Sequence, residues 1–84
     1  MNPHNTIFVG NMPFSVEDWE IEDHFMKFGQ VKSLRMPLDN AGKKQRGSCH
    51  IEFVSHECAA KAIEETHTKD FAGRPITVKW NKWT

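Results

Sequence analysis

An α+β fold with element order βαββαβ is what this 84-residue sequence predicts, and three observations carry the prediction. Four short stretches rich in β-branched and aromatic residues read as strands, most alternating polar and apolar with period two. Two longer stretches between them repeat apolar residues at helical spacing. Gly, Pro or Asn stands at most of the changes of period, where a chain has to turn.

Residues 1–5 form a polar lead. Thr6-Ile7-Phe8-Val9-Gly10 is the first strand, with Ile7 and Val9 on one face and Phe8 on the other; Gly10-Asn11 and Pro13 close it. Ser15-Val16-Glu17-Asp18 reads as a helix start, the Ser15 hydroxyl serving as N-cap with a carboxylate three residues on. Ile21, Phe25 and Phe28 then recur on one helical face, and Gly29 ends the helix. Val31 to Met36 is a second strand stopped by Pro37, and Asp39 to Gln45 reads as a flexible basic loop.

Arg46 to Phe53 is the central strand. Cys49, Ile51 and Phe53 point to a core, and Ser48, His50 and Glu52 point away from it. Ser55 is the N-cap of a second helix whose small-residue face runs through Ala59, Ala62, Ile63 and Thr66. Gly73-Arg74-Pro75 makes a turn into a last strand, Ile76 to Trp80, and residues 81–84 form a tail. Both helical stripes need a surface to bury them, and the antiparallel sheet supplies one. The architecture is therefore a ferredoxin-like split βαβ sandwich, a four-stranded antiparallel sheet with two helices on one face. Its core draws on Ile7, Val9, Met12, Ile21, Phe25, Phe28, Val31, Leu34, Met36, Cys49, Ile51, Phe53, Ala59, Ala62, Ile63, Ile76 and Val78. The other face of the sheet, with Phe8, Arg35, Ser48, His50, Thr77 and Lys79, is left open.

Formal net charge is zero and the pI is about 7.0, so whole-molecule electrostatics point to no class of partner. The charge is nevertheless polarised: Lys32 to Arg46 holds five basic residues against one acidic, whereas Glu17 to Asp23 holds five acidic residues. Cys49 and Cys58 form neither a CxxC pair nor a secreted framework, which favours a reducing compartment. The lead has no basic and apolar signal pattern, and no apolar run has transmembrane length. The expectation is an intracellular domain, in nucleus or cytoplasm, without a membrane.

Ile7-Phe8-Val9-Gly10-Asn11-Met12 resembles the RNP2 segment of the RNA recognition motif, and Arg46 to Phe53 resembles its RNP1 segment. Pro13-Phe14-Ser15, Phe25-Met26-Lys27-Phe28-Gly29, Ala59-Ala60-Lys61-Ala62-Ile63 and Gly73 to Val78 resemble that family's helix and last-strand phrases, in the family's order. The resemblance covers residues 6–80 and implies single-stranded RNA as partner, a role in mRNA or other RNA processing, and a monomer. It implies no enzymatic activity, no cofactor and no metal. Against the RNP1 pattern K/R-G-F/Y-G/A-F-V-x-F/Y, Arg46, Gly47 and Phe53 fit and Ile51 is a conservative replacement. Ser48 and His50 stand where the family has outward aromatics.

The resemblance assigns base stacking to Phe8, base stacking or hydrogen bonding to His50, with Ser48 beside it, and a phosphate contact to Arg46. Arg35, Lys43, Lys44, Lys79 and Lys82 are candidates for the same side. The bland alternatives are a Phe8 covered by the termini, a merely exposed His50 and ordinary solvated lysines. With an ordinary pKa near 6.5, His50 would add a cation as pH falls. One missing stack, at about 1–3 kcal/mol per base, weakens binding roughly 5- to 150-fold, so the expected RNA binding is weak or context-dependent.

A second reading is a protein-interaction module on the same fold, using the acidic first helix with Trp19, Glu20 and Asp23. Trp80 shares the parity of Ile76 and Val78, which favours the core edge. Trp83 is open between covering the sheet, reaching RNA and meeting a partner. An acylphosphatase-like enzyme would need an arginine-bearing phosphate loop after the first strand, and Gly10 to Phe14 has no arginine. A metal site would have to gather Cys49, His50, His56 and Cys58, yet Cys49 and His50 are neighbours on a strand and face opposite ways.

Overall fold

A computed structural model describes residues 2–37 and 47–81. The basic loop with Lys43 and Lys44, together with Arg46, Lys82 and Trp83, lies outside the described residues. The elements are β1 (Thr6–Gly10), α1 (Asp18–Phe25), β2 (Val31–Arg35), β3 (Cys49–Phe53), α2 (His56–Thr66), a short hairpin of β4 (Asp70–Phe71) and β5 (Arg74–Pro75), and β6 (Thr77–Trp80). Four strands make an antiparallel sheet in the order β2-β3-β1-β6, with α1 and α2 packed on one side. The predicted sandwich is the observed one.

Its core unites Ile7, Val9, Ile51, Phe53 and Val78 of the sheet with Ile21 and Phe25 of α1 and Ala59 and Ala62 of α2, all buried. Phe28, Val31, Leu34, Met36 and Ile63 are half-buried at its rim. A sheet face covered by two short helices is buried at its centre and wetter at its edges, and β2 is an edge strand. Trp80 packs against the core and stacks flat on His56, ring centroids 4.7 Å apart, so it belongs to the core edge as parity indicated.

Four local features depart from the sequence reading. First, α1 begins at Asp18 rather than just after Ser15, with Glu17 as N-cap. The Glu17 backbone N–H donates to Glu20 Oε2 at 2.7 Å, and Val16, just before the cap, is buried with Ile21 in the same core. That pairing of an apolar residue before the cap with one in the first turn staples the chain entry, and Ser15 cannot serve as cap once Val16 is drawn inward. Second, the register of β2 against β3 shifts between Val31 and Ser33. Strict alternation would send Val31 and Leu34 to opposite faces, and this irregularity lets both pack on the core while Ser33 and Arg35 keep pairing partners on the other face.

Third, the turn at Gly73 is the tip of a separate hairpin, in which Asp70 pairs with Pro75 and Phe71 with Arg74. Its two tip residues, Ala72 and Gly73, both have positive φ, 54° and 84°. Fourth, Glu52 is on the outer face as expected but is buried there, 6% exposed. Its Oε2 accepts from the Asn2 backbone N–H and its Oε1 from the Ser33 hydroxyl, both at 3.1 Å. The polar lead therefore folds over one end of the sheet. Asn5 Nδ2 also donates to the Phe53 carbonyl at 3.0 Å.

Candidate nucleic-acid interface

Pairing register brings four side chains into one row across the open face. Arg35 of β2 is opposite His50 of β3, His50 is opposite Phe8 of β1, and Phe8 is opposite Lys79 of β6. Directly paired residues on adjacent strands project to the same side, so the row alternates cation, imidazole, phenyl and cation. The Phe8 and His50 ring centroids are 5.4 Å apart at 59°, and Lys79 Nζ is 5.5 Å from the centre of the Phe8 ring. A recess of about 320 Å³ opens beside them, lined by Phe8, Lys79, Trp80 and Asn81.

Two glycines shape this surface. A Cβ on Gly10 would stand 2.8 Å from Phe8 Cε2, so the absent side chain is what lets the Phe8 ring settle where it does. Gly47, at φ +80°, accepts the Met12 N–H through its carbonyl at 3.0 Å and lies under the exposed Phe14 ring, which a Cβ would approach to 3.1 Å. A left-handed backbone under an aromatic ring calls for glycine twice over. Gly10 and Asn81 are parts of the site that the sequence reading missed. Gly10 stands there as the end of the first strand and within the RNP2-like segment, without a role at the site, and Asn81 stands only in the tail.

His50 differs from expectation in its charge. Burial first, then the neighbouring Arg35 cation, hold its pKa below the ordinary 6.5, against a hydrogen bond with Asn81 that raises it. That lowering disfavours the imidazolium form of His50, in a row with Arg35 beside it and Lys79 at the far end. Glu52, the carboxylate on the same face, is held below its usual range chiefly by the Asn2 N–H, with the Ser33 hydroxyl and Lys32 helping; Lys32 Nζ is 3.9 Å away.

Of the predicted site residues, Phe8, His50, Arg35 and Lys79 come together, and Ser48 is half-buried just ahead of β3. Arg46, Lys43, Lys44 and Lys82 lie outside the described residues. On the helix side Trp19 is 63% exposed and Asp23 is exposed, while Glu20 is taken up by the cap of α1. Cys49 lies in the core, where burial pushes its thiol up to about 12, on the face opposite His50. Among the described residues no three His, Cys, Asp or Glu are grouped to hold an ion, and no helix is long and apolar enough to cross a membrane.

A stacking ring with flanking cations on an open four-stranded sheet suits unstacked bases and a phosphate backbone. The family model of the RNA recognition motif matches residues 7–77, and the chain belongs to that family. It is 42% identical over 72 residues to a polyadenylate-binding protein, cytoplasmic and nuclear, of Chaetomium globosum, covering 86% of this chain and 9% of that protein. It is 38% identical over 71 residues to Nucleolin 2 of Oryza sativa subsp. japonica, covering 84% of this chain and 10% of that one. The chain thus spans about a tenth of the length of these relatives. Among solved structures, the RNA15 RRM superposes with a TM-score of 0.89 at 22% identity, covering 95% of this chain and 92% of that one. The Rna15 RRM with bound RNA (GU) superposes at 0.84, also at 22% identity, over 92% and 82% of the two chains. At that identity the likeness establishes the shared fold.

Proposed function

We propose that residues 6–80 act as a single-stranded RNA-binding module whose contact surface is the row Arg35, His50, Phe8 and Lys79. The observation that carries this reading is the row itself: a half-buried phenyl ring on the open sheet face, beside an imidazole, with a cation at either end of the row to meet the phosphates. Phe8 stacks a base, worth about 1–3 kcal/mol. His50, neutral at pH 7, offers a smaller ring and one donor or acceptor to a neighbouring base. Arg35 and Lys79 meet phosphates and Ser48 lines the edge of the row; Arg46, Lys43, Lys44 and Lys82, outside the described residues, are further phosphate contacts on the strength of the family resemblance. Two neutralised phosphates give log affinity against log salt a slope of about −1.4 on a single strand, which is shallow.

With Ser48 and His50 in place of two rings, the module binds weakly alone and works beside other RNA-binding units or protein partners. The names of its relatives, a cytoplasmic and nuclear polyadenylate-binding protein and a nucleolin, support a place in mRNA or other RNA processing in nucleus or cytoplasm. The module acts as a monomer without cofactor and without catalysis. Titrating a labelled single-stranded RNA pool into isotope-labelled protein tests this. Saturable amide shifts at Phe8, His50 and Lys79 are the expected result, and an unmoved sheet would overturn it.

A further inference from the structure

The side of the molecule away from the sheet face carries a second aromatic site. Trp19, on α1, is 63% exposed, and its indole N–H donates to Glu17 Oε2 at 2.7 Å. That bond fixes the orientation of a ring that no core packing holds. Beside it is a cleft of about 250 Å³, lined by Asp18, Trp19, Glu22 and Leu34 where α1 meets the edge strand β2. Asp18 Oδ1 accepts the Trp19 backbone N–H at 2.8 Å, and among the described residues neither Asp18 nor Glu22 has an ion-pair partner. The cleft therefore has an oriented indole wall, two carboxylates and an apolar side chain.

We propose that this cleft takes an arginine side chain from an extended basic segment of a partner protein. Charge complementarity selects the cation, because Glu17 to Asp23 places five carboxylates along this helix. Shape selects arginine over lysine. A planar guanidinium stacks on an indole face and forks to a carboxylate at the same time, while its methylene stem lies along Leu34; an ammonium on a flexible stem does only part of this. RNA is repelled from the same surface by its own charge. The RNA site and the arginine site thus lie on different faces of one small domain, and both can be filled together.

The test uses the isotope-labelled 84-residue chain and a blocked Gly-Gly-Arg-Gly-Gly peptide, with lysine and citrulline versions as comparisons. Expected are saturable shifts at the Trp19 indole N–H and at the amides of Asp18, Glu22 and Leu34, with Phe8 and His50 unmoved. The lysine peptide binds more weakly and the citrulline peptide hardly at all. Trp19→Ala weakens arginine binding about 2- to 30-fold, the range of a cation over an aromatic face, and leaves RNA affinity unchanged. Glu22→Gln weakens it too, and carries the test if the spectrum of Trp19→Ala shows a lost fold. The proposal fails if citrulline binds as well as arginine, if the shifts fall on the sheet, or if none saturates by about 10 mM peptide. It fails equally if the free chain self-associates through Trp19, since the occupant is then a second copy. None of these outcomes touches RNA binding at Phe8, so the two readings stand or fall apart.

Discussion

The open face of the sheet and the outer face of α1 each present an aromatic ring, half-buried Phe8 and exposed Trp19, and they surround it with opposite charge. Phe8 stands in a row with Arg35 and Lys79; Trp19 stands beside Asp18 and Glu22 and is hydrogen-bonded to Glu17. A ring's face attracts bases and cations alike, so the ring alone does not choose its ligand. The neighbours choose: cations admit a polyanion, and carboxylates exclude it. A chain of zero net charge can therefore present two unlike surfaces, and the average hides both.

The comparison breaks most easily at Phe8. Phe8→Ala lowers RNA affinity about 5- to 150-fold, the loss of one stacked base, while thermal unfolding followed by circular dichroism stays near that of the parent. An unchanged dissociation constant would remove the stacking model. Replacing the small ring beside it tests the opposite direction: His50→Phe tightens binding by about fivefold or more, because one further stack adds at least ~1 kcal/mol. Weaker binding by that variant would instead show that the imidazole is used for its polar edge.

Gly10→Ala is a subtler perturbation of the same ring. The new Cβ meets the end of the Phe8 side chain rather than backbone, so the fold accommodates it and the ring moves. An off-rotamer cost of about 0.5–1.5 kcal/mol corresponds to an affinity loss of roughly 2- to 10-fold, measurable by fluorescence anisotropy with labelled RNA. Arg35→Ala should flatten the plot of log affinity against log salt by about 0.7, one phosphate on a single strand. The same variant raises the pKa of His50, because the Arg35 cation is one of the two influences lowering it, and leaves that of His24 where it was. His24 is the control on the helix side. Its pKa is lowered by burial and then by Lys27, against Asp23, and its ring is 4.6 Å from that of Phe71.

The smallest expected effect is on stability against pH, and its sign is the same on both faces. His24 and His50 have folded pKa values below the ordinary 6.5, so as pH drops below that value the unfolded chain takes up protons first and stability falls. Glu52 has a folded pKa below the ordinary 4.5, so its contribution is complete above that value and is lost as pH falls through the folded pKa. Urea midpoints should therefore decline from pH 8 through 6 to 4. A midpoint higher at pH 5 than at pH 8 would contradict both histidine assignments, and a midpoint as high at pH 3 as at pH 5 would contradict that of Glu52.

The fold was largely legible from the chain because its signals are local. Ile7 and Val9 against Phe8, Cys49 and Ile51 against His50, and the run Ile21 to Phe25 each declare a face within a few residues. Ser55 did the same for the start of α2, where its hydroxyl accepts the Cys58 N–H. At α1 the identical rule pointed to Ser15, and burial of Val16 overrode it. The β4–β5 hairpin escaped because two-residue strands have no period to read, and because Ala72 is an uncommon residue at positive φ. At the site, Phe8 and His50 were found through their motif, but Gly10 and Asn81 matter only through what they touch.

What the sequence determined by itself is the alternation of faces, the order of elements and the kinds of side chain each face carries, since these follow from the geometry of one strand or one helix at a time. Tertiary structure alone decided which of those side chains meet. Pairing register aligned Arg35, His50, Phe8 and Lys79 from four separate strands, a shift in β2 brought Val31 and Leu34 to the same core, and the folded lead closed over Glu52. Cross-strand register depends on the packing of the whole core and on the closure of loops far apart in the chain, and no single window of sequence contains either.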